Sequence, residues 1–282
     1  MRATNNTSAI RSSRLCLCDG ITTMLRTLKV LILNSLDVKS LLPQLLLLAF
    51  LTLSAAQGGE QTHVPFSRMN DLLSGCDYFK PGDINYTRVF TWLMIPTIFV
   101  LRNSSSIENA LSIQTLSVPR NGSLMRMGIA QWLRSLLAGI AWCVIVAVIS
   151  SVFDIAPYII AGRWYAISQA FNTYNVGEIF FGYIAGTCII GSVQTCAHLV
   201  GGNSHYSCIA VLCVLIVPIC LDANRLSFIW PCNMMMLKRF ESICGEGNVS
   251  VASTLIAVLI WLSISLIILI LHARKAKIRL YG

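Results

Sequence analysis

Long apolar runs separated by short polar intervals dominate this chain. Crossing about 30 Å of hydrocarbon as a helix takes about 20 mostly apolar residues, because every backbone N–H and C=O must be satisfied within the segment. Five runs approach that length, at residues 41–56, 130–153, 176–200, 207–221 and 251–271. The last, VASTLIAVLIWLSISLIILIL, carries no charge at all. Two further stretches are ambiguous: VFTWLMIPTIFVL (89–101) is short and contains Pro96, and IAPYIIAGRWYAISQAF (155–171) has Arg163 near its middle. No internal repeat or low-complexity linker divides the chain.

The expected fold is therefore all-α. It is a polytopic integral membrane protein, a helical bundle of about six transmembrane helices, with four to six consistent with the pattern. Three regions follow: a basic N-terminal tail over 1–40, a helical membrane domain over 41–271 and a basic C-terminal tail over 272–282.

The stretch around Arg163 has a different periodicity. At about 100° per residue, Ile160, Trp164, Ile167 and Phe171 share one face, while Tyr165, Ser168, Gln169 and Asn172 share the opposite one. That pattern predicts one interfacial amphipathic helix on the outer leaflet, with Arg163 snorkelling from its border. The rival reading buries Arg163 and pairs it with Glu178 as an ion path.

Composition strengthens the membrane reading. The chain is 55% hydrophobic and 12% charged, and between Met127 and Asp222 the only charges are Arg134, Asp154, Arg163, Glu178 and Asp222 itself. A soluble domain of that size would scatter several times as many over its surface. The net charge of +9 comes from Lys and Arg in the tails and short loops, with no basic patch interleaved with aromatics, so nucleic acid is not an expected partner.

Orientation follows from where the basic residues fall, since short loops rich in Lys and Arg stay cytoplasmic. Arg274, Lys275, Lys277 and Arg279 directly follow the last apolar run. With the C-terminus cytoplasmic, residues 222–250 face the exterior or lumen, the GGNSHY turn faces inward, 154–175 face outward and 102–129 inward. If 89–101 spans, the N-terminus is also cytoplasmic, and about twice as many Lys and Arg lie inside as outside. The membrane is then that of the secretory pathway, the cell surface or an envelope. Residues 41–56 end in Ser54-Ala55-Ala56, an acceptable signal cleavage site, but the preceding region is long and contains Asp37, which favours a retained first helix. Initiation at Met24 would make the segment more signal-like.

Among the Asn-x-Ser/Thr sequons, this path leaves Asn248 outside and, if 41–56 and 89–101 both cross, Asn85 as well. Asn103 and Asn121 fall on the inward side. Of eleven cysteines, Cys143, Cys188, Cys196, Cys208, Cys213 and Cys220 lie in apolar runs, where a thiol packs as a small apolar group. Cys232 and Cys244 share one exterior loop and are the candidate disulfide, which leaves Cys76 over.

Ser135, Gly139, Cys143, Ala147 and Ser151 recur every four residues on one helix, and GYIAG places Gly182 and Gly186 on the next. In lipid, close backbone approach over small residues is a main source of helix association. An antiparallel pair is expected, within one bundle or between copies of the chain.

Chemistry is sparse. Cys196 and His198 sit two residues apart, about 200° around a helix, and so do not form a nucleophile–base pair. No zincin, serine-hydrolase, phosphate-loop or intramembrane-aspartate pattern occurs, so no catalytic residue, metal site or cofactor is assigned. Two functions remain. The first is a structural or organising multi-pass protein that acts through helix association, with the bilayer and a second copy or another membrane protein as partners. The second is a small channel or transporter using Arg163 and Glu178, with Pro218 and the short 89–101 stretch as interrupted helices.

Overall fold

The computed structural model describes residue 29 and residues 38–55, 64–75, 86–121, 124–173, 175–220, 227–244 and 249–281. The described residues are helical with no β-strand; one isolated bridge joins Phe240 to Val249. The principal helices are α1 (Val38–Ala55), α2 (Ser67–Leu73), α3 (Tyr86–Asn121), α4 (Leu124–Ile160), α5 (Trp164–Thr173), α6 (Val176–Gly201) and α7 (Ser204–Ile216). After two 3₁₀ turns come α8 (Pro231–Met234), a third 3₁₀ turn, α9 (Glu241–Cys244) and α10 (Val251–Tyr281).

Three helices are long and apolar enough to cross a membrane, over Met127–Val152, Val176–Gly201 and Val251–Arg274, as befits a protein integral to a bilayer. Leu41–Thr52 and Ser204–Ile216 are apolar but shorter.

Local chemistry sets the breaks. Gly202 closes α6 in the left-handed conformation (φ 66°), and its N–H donates to His198 O at 2.8 Å. Glycine adopts that conformation without a Cβ penalty. Asn203 then opens α7, its side chain accepting from the His205 backbone N–H at 2.9 Å. The GGNSHY turn is thus a C-cap followed directly by an N-cap.

The stretch read as one amphipathic helix is two pieces. α4 runs through Pro157 to Ile160, and Gly162 (φ 67°) ends it while the Arg163 N–H donates to Tyr158 O at 2.8 Å. Ile160 therefore belongs to α4 and Trp164 opens α5, so the predicted face is interrupted. Within α5 the buried contact is Ala170, with Phe171 edge-on to Phe66 at 5.8 Å, while Trp164 and Tyr165 are exposed.

The inward loop expected over 102–129 is mostly helix as well, because α3 continues without interruption to Asn121. Its Ser-rich start reads as a loop, yet a serine hydroxyl can bond back to the preceding turn, as Ser105 does to Leu101 O at 3.3 Å. Nor does α10 stop at the basic tail; it carries through to Tyr281.

α6 is the central helix. Of its apolar window 67% is buried, against 33% for α4 and 22% for α10. α4 packs on it in antiparallel sense: Ser135 pairs with Thr195 (2.7 Å), a Cβ on Gly139 would lie 3.4 Å from the Thr187 and Cys188 backbone, and the Cys143 thiol reaches Tyr183 O (3.7 Å). α3 runs in the same direction as α6, with Trp92 beside Met235 at one level and Asn103 beside Gln194 at another. α1 is held at Leu48 and Thr52, both fully buried.

The segment 227–240 departs furthest from expectation. Read from sequence as part of an exterior loop, it folds back into the bundle, where Cys232, Met234, Met235, Met236, Leu237 and Phe240 are buried. A Cβ on Gly182 would come within 2.5 Å of Met234 O, and one on Gly186 within 2.8 Å of Pro231 O. These two glycines thus make room for the re-entrant segment rather than for α4, the partner that GYIAG suggested. Irregular backbone at this depth is tolerated only where protein covers it and its polar groups are met. Both conditions hold: Trp92 Nε1 donates to Met235 O (3.0 Å) and Trp261 Nε1 to Ile229 O (2.7 Å), clamping the segment from α3 and α10.

Candidate functional site

The described residues hold two polar clusters inside the bundle. One is built into the re-entrant segment: the fully buried Arg239 donates to Asn233 Oδ1 (3.0 Å), and Asn233 Nδ2 donates to Ser227 O (2.6 Å). Between residues 227 and 244 no described buried side-chain nitrogen or oxygen lacks a partner.

The other lies toward the opposite end of α6 and joins three helices. Asn103 of α3 donates to Gln194 Oε1 of α6 at 2.8 Å, and Gln194 Nε2 donates to Val100 O at 2.7 Å. Asn103 Oδ1 accepts from Arg134 Nη2 (3.2 Å) and from the Ser135 hydroxyl (3.4 Å), both on α4. Arg134 Nη1 donates to the Ser106 hydroxyl. Trp132 Nε1 adds a bond to Ser192 Oγ at 2.5 Å. Through Gln194 the layer is anchored to a backbone carbonyl of α3.

Arg134 is the unusual member. It is 1% exposed, its bonded partners are neutral, and its Nε has none. Gln131 and His198 Nδ1 are also buried without partners. A cavity of about 130 Å³ opens beside Arg134, lined at its polar end by Arg102, Asn103 and Ser106 and along its walls by Phe99, Trp142 and Ile145.

At the other end of the bundle Arg68 and Asp154 form a partly buried pair. Arg68 Nε lies 3.1 Å from Asp154 Oδ1, and the Arg68 backbone N–H donates to Oδ2 at 2.7 Å. Burial pushes the Asp154 carboxyl above its usual range, with Arg68 pulling it back in part. The pair borders a second cavity, of about 180 Å³, that Arg163 also lines.

The residues singled out from sequence fall as follows. Ser135, Gly139 and Cys143 face α6, and Ser151 points its hydroxyl to Met69 Sδ of α2 (3.8 Å), so four members of the stripe are engaged inside the chain; Ala147 is half-buried. Arg163 is exposed at the break before α5, and Glu178 accepts from the Ser242 hydroxyl at 2.6 Å; no ion pair joins the two. Cys232 is a thiol and not half of a disulfide, so the Cys232–Cys244 bridge is not formed. The reason is position: its Sγ is buried within the re-entrant turn and directed to Asn233 Oδ1 (3.4 Å). The Cys244 side chain, Cys76, Asn85 and Asn248 lie outside the described residues. Asn103 is 2% exposed and spent in the polar layer. Cys196 turns to Ser265 O of α10 (3.3 Å), away from any pairing with His198. Among the described residues no three His, Cys, Asp or Glu side chains gather as a metal site.

Sequence reading missed the Arg134 layer. Its signal was present, because Arg134 sits seven residues inside an apolar span and Gln194 inside another. An ionisable group at such a depth marks a functional site by default. No protein-family model, characterised protein or solved structure matches the chain.

Proposed function

We propose that this chain is a structural or organising multi-pass membrane protein, closed to permeation, which acts through helix association in the bilayer. The observation that carries this reading is the re-entrant segment. Residues 227–240 fill the space beside α6, with Gly182 and Gly186 shaped to receive them and two tryptophan indoles holding their carbonyls. A segment that fills this space supports a bundle built for packing rather than for conduction.

The proposed topology has six crossings: α1, the apolar start of α3, α4, α6, α7 and α10. The opposed directions of α4 and α6, and the shared direction of α3 and α6, support that alternation. Both termini are then cytoplasmic, α5 lies at the outer interface with Trp164 and Tyr165 exposed, and Asn248 and Asn85 are the sequons open to glycosylation. The exposed apolar faces of α4 and α10 meet lipid or another membrane protein.

Reconstitution of the purified chain into liposomes tests the reading. No flux of potassium or chloride above that of empty vesicles is expected, together with a crosslinked ladder in the native membrane. Saturable ion flux would replace the organising role with a channel.

A further inference from the structure

We infer that the cavity beside Arg134 is a binding site for a single-chain anionic amphiphile, a long-chain carboxylate whose head meets the guanidinium and whose tail leaves toward the lipid. The first ground is charge. A guanidinium offers five N–H donors, and on Arg134 two of its nitrogens meet neutral oxygens while the buried Nε meets nothing. Burying an uncompensated cation is costly, and the cost is relieved most directly by an anion within hydrogen-bonding reach. Charge-assisted bonds of this kind are roughly twice as strong as neutral ones.

The second ground is shape. One end of the cavity is polar and the rest is lined by Phe99, Trp142 and Ile145. Leu137 and Ala141 also border it and are exposed on the lipid-facing side of α4, which gives a tail its exit. The volume of about 130 Å³ gives room for on the order of ten water-sized groups, enough for a carboxylate and the first few methylenes of one chain. A second tail is not needed to fill it.

Depth supplies the third ground. Arg134 lies seven residues inside the span that begins at Met127, which places it roughly 10 Å along the helix from that end. A small head drawn below the interface reaches it, whereas a bulky headgroup stays at the surface.

The test uses the full chain purified in an uncharged detergent, with radiolabelled palmitate as the probe. Saturable binding near one per chain is expected, with no competition from acetate or from hexadecanol, which has the tail without the charge. Arg134→Gln should weaken palmitate binding roughly tenfold or more. Ala141→Phe, which fills the mouth and leaves the polar layer untouched, should do the same and carries the test if Arg134→Gln fails to fold. Equal palmitate binding by wild type and Ala141→Phe, or hexadecanol competing as well as palmitate, would overturn the proposal. So would binding of dioleoyl phosphatidic acid without binding of palmitate, since the source would then be a phospholipid head.

Discussion

The two buried polar clusters contain the same kind of group, an arginine held by an asparagine, and differ in what is left over. In the re-entrant segment, Arg239 and Asn233 lie six residues apart in one stretch of chain, and no described buried side-chain nitrogen or oxygen there is without a partner. In the three-helix layer, Arg134 draws on Asn103 and Ser106 of α3, Asn103 carries the link on to Gln194 of α6, and the Arg134 Nε is left over beside a cavity. A closed network holds a fold together; an open one leaves donors over that a further group can meet. The difference separates the plug, whose side-chain bonds are met within one stretch of chain, from the layer, which is the basis of the binding proposal.

The largest expected effects come from the glycines beneath the plug. Gly182→Ala and Gly186→Ala each drive a methyl into backbone oxygen as well as a side chain, Met234 O and Pro231 O respectively. Overpacking of this kind costs typically about 1–3 kcal/mol and sometimes more. Gly139→Ala, whose Cβ would sit at 3.4 Å from neighbouring backbone, should cost clearly less. Thermal unfolding in detergent should rank Gly186→Ala and Gly182→Ala well below Gly139→Ala. Equal midpoints for the three would remove the plug from its proposed place.

Next come the two arginines, which should respond in opposite directions. Arg239→Met leaves Asn233 Oδ1 with only the weak Cys232 thiol as donor, and a buried acceptor weakened in this way costs about 1–3 kcal/mol. Arg134→Met removes a cation that lacks an opposite charge, and apolar replacement of buried charge is often neutral or stabilising by about 1–4 kcal/mol. In ligand-free protein, unfolding should thus occur earlier for Arg239→Met and at the wild-type temperature or above for Arg134→Met. A matching loss in both would erase the contrast.

Loss of an indole bond is expected to act locally on the segment it holds. Trp92→Phe keeps the ring bulk and leaves Met235 O unmet, for about 1–3 kcal/mol. Trp132→Phe breaks a bond to a hydroxyl that can turn elsewhere and should cost less. Proteolytic sensitivity measured across 227–240 should rise in the first variant only.

The smallest effect is a pH dependence at the Arg68–Asp154 end of the bundle. Because burial raises the Asp154 carboxyl, the folded state binds its proton more tightly than the unfolded chain does. The proton-linked stability is fully present below the ordinary carboxylate range and falls as pH rises through the elevated folded value. Asp71, raised by burial as well, works in the same direction. Asp154→Asn should flatten the fall in unfolding temperature over that window and leave the weaker slope due to Asp71. An unchanged slope would mean that Asp154 is no more buried than in the unfolded chain.

How much of this was legible in the sequence depends on whether the information is local. Continuous apolar runs located α1, α4, α6, α7 and α10, because burial in lipid needs only length and composition. They set the bounds closely only for α6; α4 extends past its run by six residues at the start and seven at the end, and α10 runs ten residues into the basic tail. Gly202 and Asn203 marked the α6–α7 turn in the same local way. The extension of α3 was hidden by a Ser/Asn-rich composition that suits loops and helix surfaces equally. The plug was hidden by its own charges: CNMMMLKRF reads as an exterior loop until Arg239 is seen to turn back on Asn233. Gly182 and Gly186 were correctly picked as close-approach positions, but spacing on one helix does not name what approaches. Arg134, Asn103 and Gln194 form a site only when three helices are brought to one level, and no short stretch of sequence carries that.

The depth of the plug is the most exposed element of the whole picture. Intact vesicles carrying the protein can be treated with a membrane-impermeant maleimide and the modified cysteines mapped by mass spectrometry in the single variants Met235→Cys and Ser242→Cys. Met235 is 2% exposed and Ser242 is exposed, so residue 242 should be labelled, with residue 235 and the native Cys232 protected until the protein is denatured. Labelling of residue 235 as fast as residue 242 in folded protein would contradict a re-entrant segment and restore an ordinary exterior loop.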